Sequence, residues 1–244
     1  MVGVILAAGA GRRLGGMFGD IPKCLITIGN DTILGWQVRA FAKAGVRRFV
    51  VVVGHHAEAV KQKFDEVFPY TEVDFVINPD YATTNTLYSL HLALKGVEET
   101  VLFANGDVFF GPKLVARLFA GKNSALAIHS HPCGEEEVKV VMESNRLVEI
   151  GKGIDPKRAE GEFVGVALWR KEDLMVIKEA LTRRASTPEG RKLFFEAAIQ
   201  DIIHFVNLYG VDVTDLPVME IDFPEDYHRA CELVPAVKAE WERI

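Results

Sequence analysis

Long apolar runs are missing from this 244-residue chain. No stretch approaches the ~20 residues that a membrane-spanning helix requires. The N-terminus is apolar but lacks a basic leader and contains glycine, so it does not read as a signal peptide. Cysteine is scarce. Cys24, Cys133 and Cys231 are far apart, odd in number and form no Cys-x-x-Cys, which argues against a disulfide framework or a zinc site and suits a reducing cytoplasm. An excess of positive charge is missing too. The net charge of −6 speaks against a broad nucleic-acid face, yet local cations can still hold a small anion. With no repeat, low-complexity tract or linker, the expectation is one domain over residues 1–244, cytoplasmic and not membrane-inserted.

Two familiar motifs are absent where they would matter most. The apolar run Val2-Gly3-Val4-Ile5-Leu6 breaks into Ala7-Ala8-Gly9-Ala10-Gly11-Arg12-Arg13-Leu14-Gly15-Gly16, and Pro22-Lys23 follow. No Lys-Ser or Lys-Thr succeeds these glycines, so they do not form a P-loop. Leu14 stands where a dinucleotide fingerprint needs its third glycine. What remains is a strand and a loop of small residues whose N–H groups can converge on anionic oxygens. Arg12, Arg13 and Lys23 lie beside it. That combination describes a place to hold phosphate.

The rest of the first half alternates. Helical periodicity from Asp31 or Thr32 to about Ala44 precedes the β-branched run Phe49–Val53, and then come a helix over 57–68 and a strand over 73–77. A helix over 86–94, a strand over 101–104 and a helix over 112–119 continue the pattern. The fold class expected is α/β, a Rossmann-like, mostly parallel central sheet with helices on both faces. The second half reads as short strands (125–129, 138–142, 147–150 and 163–169), a small antiparallel excursion at the sheet's edge. Helices over 172–183 and 189–206, short strands at 211–213 and 219–221 and a closing helix from Pro224 to Trp241 complete it. The nucleotide half is expected over about 1–120 and the acceptor half over about 121–244.

In such sheets ligands lie at the carboxyl ends of the strands, where Gly9, Gly54 and Gly106-Asp107 fall. Asp107 is placed to hold a divalent cation. Asp222 is either its partner or the cap of the helix that follows. Thr84 and Asn85, in Asn78-Pro79-Asp80-Tyr81-Ala82-Thr83-Thr84-Asn85, are either a base- or phosphate-binding pair or plain N-caps. His55 and His56 read as loop residues near the nucleotide.

Together these stretches resemble the nucleotidyltransferases of the sugar-phosphate and alcohol-phosphate class. The carriers are Leu6-Ala7-Ala8-Gly9-x-Gly11-x-Arg13-Leu14, Pro22-Lys23, Gly54 and Asp107. Asn78-Pro79-x-Tyr81-x-x-Thr84-Asn85-x-x-x-Ser89-Leu90, Glu137-Val138-Lys139-Val140, Ile150-Gly151-Lys152 and Glu162-Phe163-Val164-Gly165-Val166 are similar to the phosphocholine cytidylyltransferase branch and its inositol-phosphate and aminoethylphosphonate relatives, and Glu220-Ile221-Asp222-x-Pro224-Glu225-Asp226 resembles a common ending. Arg12 departs from the pattern, where the family often has Thr or Ser. The resemblance implies a loop of Leu6, Ala7, Ala8, Gly9, Ala10 and Gly11 that binds the nucleotide with Gly54, Thr84, Asn85 and Ser89. Arg13 and Lys23 would be the catalytic cations, and Asp107 and Asp222 the Mg2+ ligands. The implied reaction transfers CMP from CTP to a small phosphorylated alcohol or phosphonate and releases pyrophosphate.

For the acceptor, Lys139, Lys152, Glu162, Glu196 and Asp201 are the candidates, with Tyr81, Tyr88 and Trp169 as aromatic faces for a quaternary ammonium. Phe194-Phe195 read as core. A sugar-1-phosphate nucleotidyltransferase and an inactive nucleotide-binding module are the alternatives. A nicotinamide enzyme fails on Leu14 and on Gly54-His55-His56, where a ribose-binding acid belongs. The sequence does not set the oligomeric state and leaves a homodimer open.

Overall fold

The computed structural model describes residues 1–9, 11, 14 and 16–242. The chain runs β1 (Val2–Ala7), a 3-10 turn (Lys23–Leu25), the hairpin β2 (Thr27–Ile28) and β3 (Asp31–Thr32), and α1 (Ile33–Lys43). Then follow β4 (Arg48–Val53), α2 (Ala57–Val67), β5 (Glu72–Ile77), α3 (Thr86–Ala93), β6 (Val101–Asn105), β7 (Val108–Phe110) and α4 (Pro112–Leu118). The second half has β8 (Ser124–His129), β9 (Lys139–Glu143), β10 (Arg146–Gly151), β11 (Gly161–Trp169), α5 (Lys171–Ala185), α6 (Pro188–Arg191) and α7 (Glu196–Ile202). It closes with β12 (Leu208–Asp212), β13 (Val218–Glu220) and α8 (Pro224–Glu242). None of the described helices is long and apolar enough to cross a membrane.

The expected α/β fold is present. Nine strands form one sheet in the order β5-β4-β1-β6-β11-β8-β12-β10-β9. The first four are mutually parallel. Successive residues of β1 and β4 feed opposite faces, because side chains alternate along a strand. Val4, Leu6, Val50 and Val52 pack under α3, α5 and α7, whereas Ile5, Ala7, Val51 and Val53 pack under α1, α2 and α4. Burial on both faces is why these strands read as unbroken apolar runs.

One expectation needs correction. The antiparallel excursion is not confined to the edge, where β10 and β9 lie. β11 lies inside the sheet, antiparallel to both β6 and β8, and β12 then pairs parallel to β8. β9 pairs with β10 and also reaches back to β11. Every residue of β11 from Phe163 to Trp169 is buried, as an interior strand demands.

A second correction concerns residues 189–206, expected as one helix and observed as α6 and α7 with a break between them. The break serves α3. The first N–H groups of a helix have no intrahelical partner. Here the N–H groups of Asn85 and Leu87 donate to the carbonyls of Arg191 and Leu193 at 2.9 and 3.3 Å. Phe195 N–H donates to Thr86 Oγ1 at 3.1 Å. The carbonyls of Arg191 and Leu193 are thus turned to α3 at the point where α6 gives way to α7.

A candidate active site

The carboxyl ends of β1, β4 and β6 meet, as parallel neighbours must. Asp107 sits in the turn between β6 and β7. The turn crosses over the end of β1, and Gly106 N–H donates to the Leu6 carbonyl at 2.9 Å. A Cβ on Gly106 would lie 2.5 Å from that oxygen, so only glycine fits. The buried Gln37 of α1 fixes the same turn, and its Nε2 donates to the carbonyls of Asn105 and Val108 at 2.7 and 2.8 Å. Sequence reasoning does not single out Gln37, because a lone polar residue in an apolar helix carries no motif. Gln37→Leu removes both donors from buried carbonyls. It is expected to destabilise the fold by roughly 1–3 kcal/mol per carbonyl left bare, and to lower turnover with little change in substrate KM. Chemical denaturation and steady-state kinetics check both effects.

Asp222 reaches Asp107 by a route that the sequence does not display. β13 pairs antiparallel with β7, Glu220 opposite Val108, and Ile221 N–H donates to the Asp107 carbonyl at 2.9 Å. That short ladder brings together carboxylates more than a hundred residues apart. Asp226, in the first turn of α8, reaches back over this segment: its Oδ2 accepts from the N–H groups of Asp222 and Phe223 at 3.1 and 2.8 Å. Lys23 points into the pair. Its Nζ is 3.4 Å from Asp107 Oδ2 and donates to Asp222 Oδ1.

Glu220 is the third acid, and Asp107, Glu220 and Asp222 can together hold a metal ion. Sequence reasoning leaves it unassigned, although strand alternation puts it on the same face as Asp222. Burial pushes its carboxyl well above the usual range, and Asp107, Asp222 and Glu162 push the same way. Asp107 is also raised, mainly by burial, with Lys23 opposing and Asp222 adding. Burial alone would lower Lys23, but the surrounding carboxylates reverse this and hold its ammonium above the ordinary lysine value. Among the described residues, the Lys23 ammonium is the cation set among these three carboxylates. Their oxygens are the donor type that a hard divalent cation takes.

The remaining expected residues fall into three sets. Leu6, Ala7, Ala8, Gly9 and Gly11 line the end of β1 and the start of its loop, and Gly11, at φ +59°, lies against the Lys23 stem. Ala10, Arg12 and Arg13 lie outside the described residues. Gly54 ends β4 beneath Tyr81.

Thr84, Asn85 and Ser89 belong to one stretch organised by the buried Asn78. Its Nδ2 donates to Thr84 Oγ1 and Ser89 Oγ at 3.1 and 3.0 Å, and its Oδ1 accepts from Asp80 N–H at 3.0 Å. Asn85 is the N-cap of α3, its Oδ1 accepting from Thr86 N–H. The plain capping alternative for Asn85 therefore holds.

The acceptor candidates divide. Glu162 is half-buried and its carboxyl is raised by burial, against the pull of His131, whose Nε2 is 3.2 Å away. Lys152 Nζ lies 4.8 Å over the Phe194 ring and 3.7 Å from Glu136. Glu196 is buried behind it, with Oε2 unbonded among the described residues. Lys139 is fully buried, and its Nζ donates to the carbonyls of Gly134, Glu135 and Glu137 at 3.0 to 3.2 Å. All three of its protons hold that loop, so none is left for a ligand. Asp201 is committed to Arg184 at 2.6 Å and Arg183 at 3.3 Å, tying α7 to α5. Trp169 is likewise core, stacked on Phe103 at 4.9 Å, and offers no face to an ammonium. Phe195 packs on both rings, as expected of core, but Phe194, expected beside it in the core, is 39% exposed and lies under Lys152 instead.

Residues 3–187 match the MobA-like NTP transferase domain. The chain belongs to that family. It is a nucleotidyltransferase, as the resemblance implied. Among similar proteins is CMP-5'-(3-aminopropyl)phosphonate synthase of Streptomyces rubellomurinus, 30% identical over 93% of this chain. The chain spans only 38% of that relative's length. The choline-phosphate cytidylyltransferase of Streptococcus pneumoniae is 23% identical, with 96% of this chain and 98% of that one aligned. The inositol-1-phosphate CTP transferase from T. maritima superposes with a TM-score of 0.81 at 25% identity, covering 97% of this chain and 96% of that one. These three relatives fall in the branch that the resemblance named.

Proposed function

We propose that the protein transfers CMP from CTP to a small phosphorylated alcohol or a phosphonate and uses Mg2+. The observation that carries the reading is the convergence of Lys23 on Asp107, Glu220 and Asp222 at the carboxyl ends of β1 and β6. An acceptor oxygen attacks the α-phosphorus of CTP, the bond to the β-phosphate oxygen breaks, and pyrophosphate leaves. The bound cation would be held by Asp107, Asp222 and Glu220, and would neutralise charge on the triphosphate. Lys23 is the catalytic cation beside them, with Arg13 its expected partner. The backbone from Leu6 to Gly11 and the loop at Gly54 hold the nucleotide. The stretch from Asn78 to Ser89 shapes the wall above it through Thr84, Asn85 and Ser89.

No general base is required. A phosphate monoester has a second pKa near ~6 and arrives as a nucleophile at neutral pH. What the chain supplies is position and positive charge, which carry most of such a barrier. Glu162 faces the acceptor, Lys152 meets its charge, and Glu196 supports Lys152. Lys139 and Asp201 act at a distance, by holding their own segments.

Pyrophosphate release tests the reading, measured with Mg2+, each nucleoside triphosphate and a panel of phosphocholine, inositol phosphate, aminoalkylphosphonates and sugar 1-phosphates. The expected result is release with CTP and an alcohol phosphate or phosphonate. Release with UTP or dTTP and a sugar phosphate would select the sugar-nucleotide reaction instead. Silence across the panel would mean an inactive nucleotide-binding module.

A further inference from the structure

A second group of metal-type donors lies apart from the three carboxylates. His55 Nε2 is 2.7 Å from Asp20 Oδ1, and His56 Nε2 is 2.8 Å from Asp20 Oδ2. The donor atoms of all three residues lie within 4.8 Å of one another, and the two rings are 4.2 Å apart. Adjacent residues in an extended chain point to opposite sides. These two imidazoles converge on one carboxylate because His56 is left-handed, at φ 46° and ψ 44°. A non-glycine residue rarely adopts that conformation. His55 is anchored in turn by its N–H to the Ala8 carbonyl at 3.3 Å.

We propose that Asp20, His55 and His56 form a binding site for a divalent transition-metal ion of the Zn2+, Co2+ or Ni2+ class. Two imidazole nitrogens and one carboxylate make a borderline donor set that such ions prefer, whereas Mg2+ takes oxygen ligands and is directed to the carboxylate group instead. The side chains of Asp20 and His56 are 76% and 45% exposed, so an ion can enter from solvent and complete its coordination with water. The ion displaces the two Nε2–H···O hydrogen bonds and takes the same three atoms as ligands. It thereby ties Asp20, at the far end of the glycine-rich stretch, to the end of β4 beside Ala8. Occupancy couples a transition metal to the segment that frames the nucleotide crevice. The site stands on its own residues and does not depend on which triphosphate or acceptor the enzyme uses.

Co2+ titration of the full chain in excess Mg2+, followed by visible d–d absorption, tests the site. One equivalent is expected to bind and to be displaced by Zn2+. His56→Gly and Asp20→Asn should each weaken binding by at least about 10- to 100-fold. Glycine suits the left-handed position, so loss of the spectrum in His56→Gly cannot be attributed to a disturbed backbone, and an unchanged circular dichroism spectrum verifies this. Asp107→Asn should leave the Co2+ spectrum unchanged. Absence of a spectrum in the wild type would overturn the proposal. So would a spectrum that survives His56→Gly and Asp20→Asn, or one lost in Asp107→Asn.

Discussion

Replacing Asp107 by asparagine is expected to remove nucleotidyl transfer while leaving the folded protein at least as stable in metal-free buffer. Asp107 is one of three clustered carboxylates, and burial raises its carboxyl above the ordinary range even with Lys23 beside it. A folded-state pKa above the unfolded value means that ionisation opposes folding, so stability falls as pH rises through the raised value. Asparagine keeps the shape and carries no charge. The turn that presents it is held by Gly106, Gln37 and the β7–β13 ladder, none of which uses the Asp107 side chain. The loss in kcat should exceed about 100-fold, the scale on which one preorganised charge contact matters in such a transition state. Mg2+ should raise the melting temperature of the wild type and not of Asp107→Asn. Pyrophosphate release and paired thermal melts, with chelator and with Mg2+, decide the matter. Undiminished turnover would remove Asp107 from the site. A lower melting temperature in chelator would show that its charge stabilises the fold.

The second large effect is expected at Glu196. Burial pushes its carboxyl up from 4.5 to about 7, against small opposing pulls from its own backbone N–H and from Lys152. Its folded pKa is raised, so the stability it contributes is complete below about 4.5 and is lost as pH climbs through about 7. The gap corresponds to roughly 3 kcal/mol at ~1.4 kcal/mol per tenfold change. Wild type should therefore lose stability between about pH 5 and about pH 8, over and above the trend of its other groups. Glu196→Gln removes the ionisation. Its amide carries a cost of its own for the unpaired position, but that cost does not depend on pH. The readout is thus the change in the wild-type-to-variant difference between the two pH values, in the variant's favour at the higher one. Urea denaturation at both pH values measures it. An equal difference at both would refute ionisation of Glu196 as the cause.

The first half of the fold is legible because its signals are local. The run from Phe49 to Val53 needs no context. It is dominated by β-branched valines, carries no polar face and is bounded by Arg48 and Gly54, so an interior strand fits it, and every one of its residues is buried. The Thr32 cap is equally local, its Oγ1 accepting from Gly35 N–H at 3.0 Å. The order of the second half is not legible. Nothing in Phe163–Trp169 tells whether its partners are β6 and β8 or its sequence neighbours, because pairing is decided by which exposed edge each strand meets. The division of 189–206 also depends on contacts from elsewhere, since the N–H groups of α3 take the carbonyls that a continuous helix would use.

The sequence by itself determined the α/β class and the strand that leads into the glycine-rich loop, and it singled out Lys23, Asp107 and Asp222, each adjoining a strand end or a turn. Tertiary structure alone decided that these three converge and that Glu220 joins them. It also decided that Gln37 and Asn78 hold the turns around them, and that Lys139 and Trp169 are inside. The physical reason is the same in every case. Type and local geometry follow from a few neighbouring residues, but a shared carboxylate cluster exists only once strands such as β7 and β13, distant along the chain, have paired.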